Sequence, residues 1–191
     1  MKLQTELTHY NIIAIEASYL YCFCIRLLIN RKTPQEAFSE TFEEVKRRAS
    51  ISGDSTIRYW FEKCIETDGI DEMPLPNERP ITYLKTALLW SFYYLKNEWS
   101  FHDAIKDIIA KQGDVEINAA VVGGMLGAAY GTQAIDNELI DKVFRLEIQD
   151  RLDYTPRSTL KNLVHIALAT GPSRLEVRWD SKTLKGQNVV D

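Results

Sequence analysis

The sequence predicts an all-α fold, a helical bundle, on three observations. Apolar residues recur at helical rather than alternating spacing through most of the chain. Helix start signatures precede these periodic runs, as in Thr33-Pro34-Gln35-Glu36 and Ser100-Phe101-His102-Asp103. Alternation of the strand kind is confined to "RLEVRW" near the C-terminus. The chain has 191 residues, of which 45% are hydrophobic and 26% charged, so a single soluble domain with a workable core is expected.

The first strong element is "IIAIEASYLYCFCIRLLI", Ile12–Ile29, with Thr8 or Asn11 placed to cap it. It is nearly long enough to cross a bilayer. Glu16 and Arg26 inside it would each cost about 2.5–3.5 kcal/mol near a bilayer centre, so it is read as a core helix and no membrane is expected. The capping box at Thr33 opens a second helix, reaching Arg48, with Ala37, Phe38, Phe42 and Val45 on one stripe. A polar turn at 50–55 follows. A helix over 56–67 then carries Ile57, Trp60, Phe61, Cys64 and Ile65.

"DGIDEMPLPNERP", residues 68–80, is the clearest loop, with three prolines and a glycine. Helix resumes over 82–96, with Leu84, Leu88 and Leu95 inward. The next helix begins at Ser100, buries Ala104, Ile105, Ile108 and Ile109, and stops at Gly113. A small-residue helix over 117–130 holds Gly123, Gly124 and Gly127. Each glycine costs about 1 kcal/mol relative to alanine inside a helix, so close approach by neighbouring helix backbones is the expected compensation. Helices over 137–149 and 159–169 and a polar, flexible tail complete the chain, with domain limits of 1–172 and 173–191.

The net charge of −4, from 23 basic and 27 acidic residues, argues against a nucleic-acid partner. There are three cysteines, Cys22, Cys24 and Cys64, and the first two, on different faces of their helix, read as buried small hydrophobes. With no secretory signal in "MKLQTELTHYN", they point to a reducing, cytoplasmic setting. The spacings for a zinc site and for a dinucleotide fingerprint are both missing.

The chemistry is concentrated in "KQGDVEINAA", residues 111–120. Asp114 and Glu116 stand at the entry to the small-residue helix. There they could cap the helix against its unpaired amides and dipole, or hold a hard cation such as Mg2+ or Mn2+.

Residues 81–136 carry a longer pattern. Ser100, Phe101, Ala104 and Ile105 are followed by Gly113, Asp114, Asn118, Ala119, Ala120, Gly124, Leu126, Gly127, Ala128, Tyr130 and Gly131. This resembles the C-terminal signature of the ADP-ribosylglycohydrolase family, S-F-x-x-A-I followed by G-G-D-T-D-T-N-A-A-I-x-G-x-L-x-G-A-x-Y-G. That family includes the arginine-directed hydrolases and the dinitrogenase reductase-activating glycohydrolase. "LTHYNIIAIEASYLY" resembles an earlier helix of the same fold. The resemblance implies an all-α fold and metal-dependent cleavage of the glycosidic bond to ADP-ribose, with Mg2+ or Mn2+ as cofactor and ADP-ribose or an ADP-ribosylated protein as partner. It implies that Asp114 is catalytic and a metal ligand, that Glu116 is a second ligand, and that Gly113, Asn118 and His9 line the substrate.

This chain departs from the pattern. Glu116 replaces the second aspartate, Ile117 stands at the ligating threonine, Val115 replaces a threonine and Gln112 the first glycine. The N-terminal T-D-D motif is absent, so the N-terminal part of the family domain is expected to be missing. Three readings follow: an impaired hydrolase, a catalytically inactive binding module (a pseudoenzyme), or half of a split domain completed by a partner chain.

Overall fold

A computed structural model describes residues 2–66, 69–80 and 83–145. Its α-helices in order are α1 (Lys2–Glu6), α2 (Ile12–Ile29), α3 (Pro34–Ser52), α4 (Thr56–Phe61), α5 (Leu84–Lys96), α6 (Phe101–Ala110), α7 (Val115–Tyr130) and α8 (Asn137–Phe144). No strand occurs among the described residues, and the fold is all-α as expected. The chain divides into two units, Met1–Asp136 and Asn137–Asp191. The candidate site and all packing described below lie in the first. The helix expected over 159–169, the "RLEVRW" strand and the 172–173 domain limit lie outside the described residues.

Local chemistry explains most helix ends. Asn11, not Thr8, caps α2: its Oδ1 accepts from the amides of Ile13 (2.8 Å) and Ala14 (3.3 Å). The capping box at Thr33 closes in both directions, with Thr33 N–H donating to Glu36 Oε2 at 2.8 Å and Glu36 N–H to Thr33 Oγ1 at 3.2 Å. Helix α3 runs past Arg48 to Ser52, so it absorbs the start of the expected polar turn and ends on Gly53 at φ +71°. After Phe61 the chain continues as one π-helical segment, Glu62–Glu66. This widened turn still buries Cys64 and Ile65.

The core joins α2, α3, α4, α5, α6 and α7. Phe38, Phe42, Phe61 and Phe92 form its aromatic centre; the Phe61 and Phe92 rings are 4.8 Å apart. Every residue placed on the α3 and α4 stripes from sequence is buried. Helix α2 is long and apolar enough to cross a membrane by length and composition. Here Ile15, Ala17, Leu20, Cys24, Leu27 and Leu28 pack into the core, and the Glu16 carboxylate is paired with the Arg48 guanidinium of α3.

Three expectations are corrected. Cys22 is exposed, while Cys24 and Cys64 are buried. Ile109 is 46% exposed, because the buried face of the ten-residue α6 is covered by Ala104 and Ile108. The glycines of α7 do not mediate backbone-to-backbone packing. A Cβ on Gly124 would lie 2.6 Å from the Tyr21 hydroxyl, one on Gly123 would make ordinary contact with Ile105 and Phe101, and one on Gly127 would meet nothing. Gly124 thus seats a side chain, which lets the Tyr21 hydroxyl donate to the Val121 carbonyl at 2.8 Å.

Candidate functional site at the α6–α7 turn

The turn is built by two consecutive left-handed residues. Lys111 closes α6, its N–H donating to Asp107 O at 3.1 Å. Gln112 then adopts φ +63° and Gly113 φ +78°. Reversing the chain in so few residues requires this region of backbone space, which disfavours a side chain at both positions. Gly113 is required a second time. A Cβ there would lie 1.7 Å from the Pro76 carbonyl oxygen and 2.9 Å from the Asn77 nitrogen, so the proline loop lies directly against the turn.

Asp114 follows as the N-cap of α7, and its Oδ1 accepts from the Ile117 amide at 3.4 Å. The second carboxylate oxygen takes no hydrogen bond or ion pair among the described residues. Glu116 is in the first turn of α7 and exposed. Both carboxylates sit where the helix dipole favours negative charge. Ile117, 52% exposed, presents only hydrocarbon between them and Asn118. Asn118 is 3% exposed, and its Nδ2 has no hydrogen-bond partner among the described residues. A buried donor left unmade costs about 1–3 kcal/mol, so it calls for an acceptor, a trapped water or a ligand oxygen.

Gly113 and Asp114 lie in the turn, and Glu116 and Asn118 lie in the first turns of α7. His9 is exposed between α1 and α2, with Nδ1 3.0 Å from Thr8 Oγ1. Asp114 and Glu116 are carboxylate donors of the type that Mg2+ or Mn2+ takes, usually one or two per ion beside water. No group of three or more His, Cys, Asp or Glu side chains converges among the described residues.

Sequence reasoning missed the group beneath the turn. The Tyr94 hydroxyl of α5 donates to Asp107 Oδ2 at 2.7 Å. Burial, reinforced by that bond, pushes the Tyr94 phenol far above its usual range, so it stays a neutral donor. Lys111 Nζ sits 3.1 Å from the same carboxylate and 4.4 Å from the Trp90 ring centroid. The i,i+4 spacing of Asp107 and Lys111 was the one signal present in the sequence.

The first unit is an all-α bundle whose small-residue helix opens on Asp114 and Glu116. The ADP-ribosylglycohydrolase profile matches residues 1–172, and the chain belongs to that family. No curated protein and no solved structure matches it significantly. At family level it is an ADP-ribosylglycohydrolase-like hydrolase, and ADP-ribosylated molecules are its substrate class.

Proposed function

We propose that this chain binds an ADP-ribosyl group at the α6–α7 turn. There it hydrolyses the glycosidic bond to a protein side chain or small acceptor, more slowly than a complete family site would. The observation that supports this reading is the position of Asp114 and Glu116, two residues apart in sequence, at the start of the family's signature helix. Asp114 and Glu116 would hold one Mg2+ or Mn2+. Such an ion, when bound, supplies a positive centre that orients hydroxyl oxygens and water at the anomeric carbon.

The chain's own residues do the rest. The free oxygen of Asp114 accepts a proton or hydrogen bond from a hydroxyl or water at the turn, while its other oxygen stays in the cap. Asn118 Nδ2, buried without a partner among the described residues, is the donor the family pattern would offer to a substrate oxygen, and reaching it would require the turn to open. Gly113 keeps the wall flat where Pro76 closes it. Ile117 contributes no ligand where the family pattern has threonine, so hydrolysis is expected to be weak.

The test is titration of Mn2+ and ADP-ribose into the purified chain and into Asp114→Asn, followed by release of ADP-ribose from a modified substrate. Saturable Mn2+ binding that is lost in the variant supports the reading. Equal behaviour of both proteins removes the metal site and leaves a binding module without catalysis.

A second reading has its own support. Ile109 and Ile117, 46% and 52% exposed, flank the turn with uncovered hydrocarbon. They fit a surface that a partner chain completes while adding the ligands absent here. A protein that stays monomeric by light scattering and excludes hydrophobic dye would rule that out.

A further inference from the structure

The α6–α7 turn has few bonds of its own. Its backbone contributes Lys111 N–H to Asp107 O at 3.1 Å, Gln112 N–H to Ile109 O at 3.1 Å and Asn118 N–H to Asp114 O at 3.0 Å. All of these run along the helices, and none ties the turn sideways to the bundle. The sideways ties come from two directions and meet at one side chain.

From the loop side, the Trp90 indole N–H donates to the Pro74 carbonyl at 2.9 Å. Two residues further on, Pro76 lies buried with its carbonyl against Gly113. From the helix side, Lys111, immediately before the left-handed pair, places its ammonium 4.4 Å over the Trp90 ring. That ammonium is also held by Asp107, which in turn takes the Tyr94 hydroxyl. The Tyr94 ring closes the circuit 5.5 Å from the Trp90 ring. Trp90 is 3% exposed and stands on α5, the most extensive neighbour of α7. A tryptophan face is the best of the aromatic faces for a cation, and its N–H is its only donor. This one indole uses both.

We infer that Trp90 is a positioning residue for the candidate site, holding the proline loop and the α6–α7 turn in one register through Pro74 and Lys111, and so setting where Asp114 and Glu116 stand. It does not touch the site itself. The inference rests on the reading above for why the turn matters, but the register of the turn can be measured without it.

The test is residue-resolved amide hydrogen exchange across 112–115 and 74–77, with Mn2+ affinity by titration, in the wild type, Trp90→Phe, Lys111→Met and Lys111→Arg. Trp90→Phe keeps a ring and removes the N–H. Lys111→Met keeps the stem and removes the cation. Because Lys111 is partly exposed, that variant folds even if Trp90→Phe does not. Losing one such contact should raise exchange across both segments about three- to tenfold. Exchange in α2 and α3 should hold at the wild-type rate, Mn2+ affinity should fall by a similar factor, and Lys111→Arg should restore both.

Exchange that is unchanged at 112–115, or raised equally through the whole bundle, would overturn the inference; the latter makes Trp90 an ordinary core residue. Faster exchange at the turn with unaltered Mn2+ affinity would also overturn it, because the acids would then not depend on the register. If the wild type binds no Mn2+, the proposed function falls on that result alone, and the exchange pattern still decides whether Trp90 holds the turn.

Discussion

Gly113→Ala tests the architecture of the site most directly. Two costs can be worked from the structure. The φ of +78° forces an L-residue into the left-handed region, at about 1–2 kcal/mol. The new methyl would lie 1.7 Å from Pro76 O and 2.3 Å from Pro76 C, both backbone atoms that no rotamer change can move. The loop must retreat by well over an ångström, and overpacking of this kind costs about 1–3 kcal/mol. The sum is about 2–5 kcal/mol against a typical domain stability of about 5–15 kcal/mol. With a urea slope of about 2 kcal/mol per M, the midpoint should fall by about 1–2.5 M at constant slope. Gly127→Ala is the matched control. It is helical and its Cβ meets nothing, so it should gain up to about 1 kcal/mol. Urea denaturation followed by far-UV circular dichroism reads both. A Gly113→Ala protein within about 0.5 kcal/mol of wild type would refute the reasoning, since that is the scatter of ordinary surface changes.

Gln112→Gly should stabilise by about 1 kcal/mol, because Gln112 holds φ +63° at a position where the family pattern has glycine; a lowered urea midpoint would contradict this. Asp114→Asn should keep the cap and lose Mn2+ binding, whereas Asp114→Ala should lose both, with a stability cost near the low end of about 0.5–2 kcal/mol because the cap bond is long; calorimetry with thermal melts separates the two. In the native protein at pH 8 a thiol reagent should modify Cys22 alone. Burial pushes the Cys24 thiol up to about 12 and raises that of Cys64, so both should react only in denaturant. Stability should fall in acid. The Arg47 hydrogen bond holds the Glu44 carboxyl below its ordinary value of 4.5, and the Thr56 amide holds Asp54 below 3.8. Folded values below unfolded ones mean their contribution is complete above those ordinary values and is lost as pH falls through the depressed ones. Urea midpoints that rise between about pH 4.5 and 3 would contradict this.

Much of the bundle was legible because its signals are short-range. The Thr33–Glu36 capping box, the Ala37-Phe38-Phe42-Val45 stripe and the Asn11 cap each involve residues within a turn or two, where spacing alone fixes geometry. Errors arose where exposure depends on what lies opposite. Cys22 and Ile109 have the hydrophobicity of core residues, but both are exposed, with no helix over them among the described residues. The three α7 glycines looked alike in sequence, yet they face a hydroxyl, two apolar side chains and open space.

The same division holds at the site. The residues 113–118, their place between two helices and the choice between cap and metal ligand were all present in the sequence, since capping and donor chemistry are properties of a few consecutive residues. Tertiary structure alone decided that Pro76 lies on Gly113, that the Asn118 amide is buried without a partner among the described residues, and that Trp90 touches both Pro74 and Lys111. These contacts link segments whose separation along the chain carries no periodicity or propensity signal. They exist because α5, α6 and α7 close around one core and bring the proline loop against the turn.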